Sequence, residues 1–523
     1  MEKITFLNNL LLIFKYNKKI TIFFVVIILF LNIFFETFSI GLVIPFLKSL
    51  TDENFYNVLY NFNVFGSFLL GNIFDFFQIS NKNQLIIFLS IVFVVFFIFR
   101  VVMNLFTAWY IGRFKFKLHS TLSNKLFKGY LEMQYVLHLK KNSVKIINNI
   151  TSEVDLFSSN AVVIITAIND IILIISIVSL LMLVQPLMTI QILFCFILIG
   201  LIFLFFTNSF INKIGQKRQN AAKQTYQHIA EGFNLIKEIQ IFSKQNFFYK
   251  KFETIYHELL KIFWLRSLFP LFPRAILELT TIILLGVSLI LVTNSGASLE
   301  EYFIAFSFFV AAGYRLLPSL NKLISNYQKI IFGKPAGNLV FSELKLIEKN
   351  KVQLNETDLD FKNKIGFKNV SFQFGKNDKM ILDSINFEIK KNAFVGIIGE
   401  SGAGKSTLVK LITGLLKPSN GKIDIDGKEL ELNLSSWRKK IGYVSQDLIL
   451  MDEPIVKNIA FGEYDKDIDY KKVEKVISLV ELSEFINNLD NGIFSLAGER
   501  GKLLSGGQIQ RICIARALYR DPE

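Results

Sequence analysis

The chain has 523 residues, 52% hydrophobic and only 19% charged, with positive mean hydropathy. That balance excludes an ordinary soluble protein throughout, and the length gives room for two or three domains. The 58 Lys+Arg against 43 Asp+Glu give +15. Such an excess fits a surface for nucleic acid or anionic lipid, or the basic loops of a membrane protein's cytoplasmic side. The cations cluster between apolar runs, which favours the second reading and argues against a nucleic-acid partner.

The N-terminus lacks a small-residue cleavage site, and its apolar run is too long for a signal peptide, so it reads as a membrane anchor. Six runs are long enough for a bilayer, which takes roughly 20 apolar residues: Ile20–Leu47, Gln84–Tyr110, Val162–Val184, Leu187–Thr207, Pro273–Thr293 and Tyr302–Ile324. Gln185-Pro186 reads as a tight turn between the third and fourth. Basic residues (Lys115, Lys125, Lys140, Lys145; Lys213, Arg218, Lys244, Lys250) fill the second and fourth loops, and acidic Asp52, Glu53, Asp75, Glu300 and Glu301 mark the alternate ones. This pattern predicts both termini in the cytoplasm.

A seventh apolar stretch, about 54–77, is interrupted by Asn, Gly, Ser and Asp and would invert every basic loop. It is expected as an amphipathic segment in the outer interface, either a structural lid or an entry point for a lipid. The second and fourth loops carry helical periodicity, so the helices are expected to run on into the cytoplasm. Glu36, Arg100, Asp170, Glu278 and Arg315 are the ionisable residues inside spans. Charges there are costly and face a cavity or a partner. Glu36, Arg315 and Glu278 are candidates for substrate contact or gating, with structural ion pairs as the alternative. Cys195 and Cys513 imply no disulfide framework and no metal site.

The composition then turns globular. Residues 331–364 read as a linker, and 365–523 as a soluble domain. "IGFKNVSFQF" alternates like a half-exposed strand. "FVGIIG" reads as a buried parallel strand. It runs into "GESGAGKST", where Gly399, Gly404, Lys405 and Ser406 have phosphate-loop spacing. Glycines let the backbone wrap phosphate oxygens, and the N-terminus of the following helix adds positive potential. Lys405 is suited to the β- and γ-phosphates and Ser406 to Mg²⁺, with Glu400, Ser401, Gly402, Ala403 and Thr407 completing the loop. "IGYVSQD" puts Gln446 after another apolar strand. "LLSGGQIQRICIARAL" opens a helix with Ser505, Gly506, Gly507 and Gln508 at its start. One chain rarely brings two such helix ends onto one nucleotide, whereas two chains placed head to tail could.

These motifs resemble those of ABC exporter half-transporters. The resemblance implies an α-helical six-span transmembrane domain (1–330) followed by an α/β P-loop nucleotide-binding domain. It also implies ATP and Mg²⁺ as cofactors, a second identical subunit as partner, and a bacterial inner-membrane location. Carried over by position, Phe374 would stack on adenine. Gln446 would sense Mg²⁺ beside Ser406. "AGERG" with Glu499 would meet coupling helices near Tyr135–Lys141 and Glu238–Gln245. The first span, the external segment and "YRLLPSLNKLISNY" are similar to bacterial lipid-linked oligosaccharide flippases, which implies membrane lipids and a lipid-linked substrate as partners. A multidrug or general lipid exporter stays open, as does a non-hydrolysing ATP-binding protein. The Asp-Glu pair and the later His that the family uses for hydrolysis are not among these residues. The expectation is that they lie beyond Glu523 and that the chain as read binds ATP without turning it over.

Overall fold

The computed structural model describes residues 19–51, 54–61, 63–65, 68–69, 74–184, 186–295, 299–352, 359–375 and 378–522. The chain divides into two compact units, Met1–Leu131 with Lys141–Lys349, and Glu132–Lys140 with Asn350–Glu523.

The first unit is helical, and every apolar run but the first lies on one long helix. The elements are α1 (Lys19–Gly41), α2 (Val43–Thr51), α3 (Phe55–Tyr60), a hairpin of β1 (Asn63–Phe65) and β2 (Phe68–Leu69), and α4 (Lys82–Leu131). After α5 (Tyr135–Leu139), which belongs to the second unit, come α6 (Ser143–Asn148), a π turn (Asn149–Glu153), α7 (Val154–Val184) and α8 (Pro186–Asn234). The remainder is α9 (Ile236–Ile241), α10 (Gln245–Leu268), α11 (Leu271–Ser295) and α12 (Leu299–Lys349). Pro186 opens α8, where its missing N–H costs nothing. Gln185, the other half of the expected turn, lies outside the described residues. The first apolar run is not one helix: it breaks between α1 and α2.

Helix α7 packs along α12, α1 along α4, and α8 along both α10 and α12. Helices α4 and α8 continue far past their apolar runs, as the loop periodicity predicts. Helix α12 also continues, through Lys349, so much of the segment read as linker is helical. The external segment is not a single amphipathic helix. Helix α3 joins a small core of Phe55, Phe74, Ile79 and Leu85, and the Tyr56 hydroxyl donates to the Ile79 carbonyl at 2.8 Å. In the helical extensions Arg218 forks onto the fully buried Glu153 with two bonds of 2.8 and 2.9 Å.

The second unit has two cores. One lies under an antiparallel sheet ordered β4-β3-β5-β6, built from β3 (Lys364–Phe372), β4 (Leu382–Lys390), β5 (Asn420–Ile425) and β6 (Lys428–Glu429). Strand β3 is central, not half-exposed. A bulge around Lys368 and Asn369 breaks the alternation, leaving Ile365, Gly366 and Phe367 buried on one side of it and Val370, Ser371 and Phe372 on the other. Pairing on both edges buries a central strand more completely than alternation suggests. Against this sheet pack α13 (Lys405–Ile412) and α14 (Leu434–Lys439), whose Trp437 indole N–H donates to the Ile412 carbonyl at 2.7 Å.

The other core joins α15 (Ile455–Ile459), α16 (Tyr470–Leu479), α17 (Ser483–Asn487) and α18 (Gly506–Tyr519). At its centre Asn458 is fully buried. Its amide accepts from Met451 N at 2.8 Å and from Arg516 at 3.0 Å, and donates to the carbonyls of Met451 and Glu453 at 3.1 Å.

Two apolar-strand expectations are corrected. Among the described residues no strand pairs with "FVGIIG", and Phe394 and Ile398 are 104% and 97% exposed. The "IGYVSQD" segment likewise joins no sheet, with Tyr443 and Val444 exposed. Apolar character marks a segment that suits a parallel ladder, but only a hydrogen-bonded neighbour makes it a strand.

Candidate functional site

The phosphate-type loop has the backbone its glycines permit. Gly402 and Gly404 sit at φ +87° and +89°, the left-handed region that favours glycine. A Cβ at Gly404 would stand 2.9 Å from Leu382 Cδ2 and 3.3 Å from the Ile381 carbonyl oxygen, whereas one at Gly402 would meet nothing within 4 Å. Gly404 is the N-cap of α13. Glu400, Ser401, Gly402 and Ala403 are exposed, Thr407 is half-buried, and Ala403 N donates to the Glu400 carbonyl at 3.2 Å. Lys405 folds back across the loop, donating to the carbonyls of Gly399 and Glu400 at 2.8 and 2.7 Å. The Ser406 side chain is exposed one position further on. Glycine backbone, ammonium and hydroxyl thus converge at a helix N-terminus, a donor set that fits a polyphosphate and its cation.

Phe374 follows β3, half-buried against the sheet core, with its ring edge-on to Phe372 at 5.1 Å. The Ile381 N–H returns to the Phe372 carbonyl at 2.9 Å, tying this turn to the wall behind Gly404. Gln446 is exposed on an irregular segment.

Helix α18 starts with a reciprocal capping box. Gln508 N donates to Ser505 Oγ at 3.3 Å, and Ser505 N donates to Gln508 Oε1 at 2.8 Å. Both side chains therefore serve the helix start, while Gly506 and Gly507 are exposed with open space at their α-carbons. Upstream, Gly498 and Gly501 at φ +73° and +81° bracket Arg500, itself left-handed at +57°, and Glu499 pairs with Lys502 at 2.7 Å.

The first expected coupling segment is built into this unit. Tyr135 and Val136 pack on the sheet core, Lys410 Nζ lies 5.7 Å over the Tyr135 ring, and Lys140 donates to the Phe374 carbonyl at 3.4 Å. The segment expected to meet the soluble unit does so on the sheet core. The second coupling segment, α9, leaves Ile236, Ile241 and Phe242 exposed in the first unit.

Among the intramembrane charges, Glu36 is buried and pairs with Arg100 at 3.7 Å, joining α1 to α4. Asp170 is buried, held by Lys322 at 3.2 Å and Asn326 at 3.1 Å. Glu278 is exposed and pairs with Arg274 one turn away at 2.8 Å. Arg315 lies on α12, but its side chain is outside the described residues. The structure brings these residues into local pairs rather than into one site.

A unit of long apolar helices followed by a unit with a P-loop and a second exposed helix N-terminus is the domain order of a nucleotide-binding membrane protein. The ABC transporter family matches residues 382–523, and the ABC transporter transmembrane region matches residues 61–312. The chain belongs to the ABC transporters, with an ATP-binding domain following the membrane domain. It is 39% identical over 157 residues to an ATP-dependent lipid A-core flippase of Ralstonia nicotianae, covering 30% of this chain and 26% of that protein. It is 32% identical over 328 residues to an export ATP-binding/permease protein of Rickettsia typhi, 60% of this chain and 54% of that one. It is 42% identical over 160 residues to the alpha-hemolysin translocation ATP-binding protein of Proteus vulgaris, 30% and 22% of the two chains. The chain thus spans about a fifth to about half of the length of these curated relatives. A bacterial Atm1-family ABC exporter solved with ATP bound has the same fold, with a TM-score of 0.73 at 18% identity, over 96% of this chain and 84% of that one.

Proposed function

We propose that the protein is an ATP-driven exporter or flippase that works as a homodimer in the bacterial inner membrane, with both termini in the cytoplasm. One observation carries the dimer. The P-loop helix α13 is anchored through Leu411 in the sheet core, and the signature helix α18 through Ile512 and Cys513 in the helical core, with both N-termini exposed. Each chain offers two half-sites built on different cores, and a second copy turned head to tail supplies the missing half of each. In this reading the loop residues 399–407 take the phosphates and Phe374 the adenine. Ser406 and Gln446 hold Mg²⁺, and Ser505 to Gln508 face the partner's nucleotide. Exposed Ile241 and Phe242 at the end of α9 suit docking onto the partner copy.

A lipid-linked oligosaccharide or related amphiphile is the proposed cargo. Its support is the flippase name of the Ralstonia nicotianae relative and the likeness of the first and sixth spans. Glu36 with Arg100, Glu278 and Arg315 are its candidate gating or contact residues.

The test is a disulfide trap between Ser401→Cys and Ser505→Cys in a background without Cys195 and Cys513. ATP is expected to produce a covalent dimer on a non-reducing gel. Cross-linking that stays within one chain, or that ignores ATP, refutes the head-to-tail site.

A further inference from the structure

At the ends of three spans lies a small cavity of about 50 Å³ that none of the motifs uses. Ile211 on α8 follows the fourth apolar run, Arg266 on α10 precedes the fifth, and Ser325, Gln328 and Lys329 on α12 follow the sixth. All sit at the same membrane boundary, whichever side that boundary faces.

The Gln328 amide in this cavity has no hydrogen-bond partner among the described residues. Gln328 is 5% exposed, and both its amide oxygen and its amide nitrogen are buried without a hydrogen bond. Buried polar groups left so need a reason. The Arg266 guanidinium lies 4.4 Å over the Phe332 ring, and among the described residues neither it nor Lys329 pairs with a carboxylate. The charged groups nearby are already engaged. Arg218 is taken by Glu153, Lys322 by Asp170, and Asp155, which shares an adjoining cavity with Arg266, by Lys115 at 3.0 Å. Burial, then Arg218, pushes the Arg266 pKa down; burial, then Arg266 and Lys322, does the same to Lys329. Two half-buried cations thus repel each other beside an unsatisfied amide, a cluster that an anion would relieve.

We infer that Arg266, Lys329, Gln328 and Ser325 form a binding site for the phosphate of an anionic phospholipid. The cations meet the phosphate oxygens, the Ser325 hydroxyl and the Gln328 amide N–H groups donate to them, and the Gln328 carbonyl accepts from a headgroup hydroxyl. The cavity has room for roughly three waters, enough for a phosphate and too little for an acyl chain. The chains would lie outside, along the helices, with Ile211 and Phe269 as the apolar wall. A free phosphate would have no use for that wall or for a membrane boundary. The inference does not depend on what the protein transports.

The full chain is reconstituted in nanodiscs of phosphatidylcholine, with and without one-third phosphatidylglycerol, and its thermal midpoint is followed by intrinsic fluorescence. Phosphatidylglycerol is expected to raise the wild-type midpoint by several degrees, and millimolar inorganic phosphate in phosphatidylcholine discs to leave it unchanged. Lys329→Gln and Gln328→Leu should each match or exceed wild type in phosphatidylcholine, since each removes an uncompensated buried group, and each should lose most of the gain. Lys329→Arg should keep the gain, as should Lys217→Gln at an exposed position. An undiminished gain in Lys329→Gln and Gln328→Leu overturns the site. So does a lower midpoint for both in phosphatidylcholine, which would make these side chains structural. A gain from inorganic phosphate equal to that from phosphatidylglycerol overturns the lipid assignment.

Discussion

Replacing Gly404 by Ala in the phosphate-type loop separates two costs that its neighbour Gly402 does not share. Both glycines are left-handed, at φ +89° and +87°, so an L side chain at either carries about 1–2 kcal/mol of backbone strain. Only at Gly404 does the new methyl also collide, 2.9 Å from Leu382 Cδ2, 3.1 Å from Ile381 Cγ2 and 3.3 Å from the Ile381 carbonyl. Leu382 is buried and cannot swing aside freely, so overpacking adds about 1–3 kcal/mol. A total of about 3 kcal/mol is roughly a hundredfold in affinity, against roughly fivefold for about 1 kcal/mol at Gly402. Equilibrium binding of a fluorescent ATP analogue to the detergent-solubilised full chain reads both. Gly402→Ala weakening binding as much as Gly404→Ala, or Gly404→Ala leaving it intact, would refute the reasoning, because the packed wall behind the loop would then be irrelevant.

Further outcomes follow from the packing. Asn458→Ala orphans Met451 N and its carbonyl neighbours in a fully buried site, and chemical denaturation should register a loss of about 3 kcal/mol. Arg218→Met strands the Glu153 carboxylate and should cost about 3–5 kcal/mol, while the Glu153→Leu/Arg218→Met double variant recovers most of it; thermal midpoints in detergent compare the two. Ser505→Ala breaks the capping box of α18 at about 1 kcal/mol, read by the same unfolding experiment. Burial raises the Asp426 pKa, but backbone N–H donations from Lys362, Lys364 and Asn363 outweigh it and hold it below the usual carboxylate value. A depressed folded pKa contributes stability above the unfolded pKa of about 4, and that stability is lost as pH falls through the folded value. Asp426→Asn should flatten the acid limb of a pH–stability curve below about pH 4.

The long apolar runs were legible because a bilayer demands a continuous length of apolar helix, and that length is a property of consecutive residues. The nucleotide motifs were legible for the same local reason: a loop that wraps phosphate needs glycines at fixed offsets, and a capped helix start needs Ser505 and Gln508 three apart. The fate of "FVGIIG" was not, since its apolar side chains say nothing of whether a neighbour supplies the ladder. Nor was the burial of β3, which depends on having partners on both edges and on a bulge at Lys368 and Asn369.

The sequence by itself determined where the long apolar helices lie, where the phosphate loop and the signature helix begin, and which family the chain joins. Only the tertiary structure decided that Tyr135 and Val136 settle on the sheet core, that Glu36 pairs with Arg100, and that Arg266, Gln328 and Lys329 line one cavity. Those contacts join residues tens to hundreds of positions apart, so no local spacing encodes them. They exist because packed helices and a closed core bring distant side chains together, and burial then fixes which charges find partners and which do not.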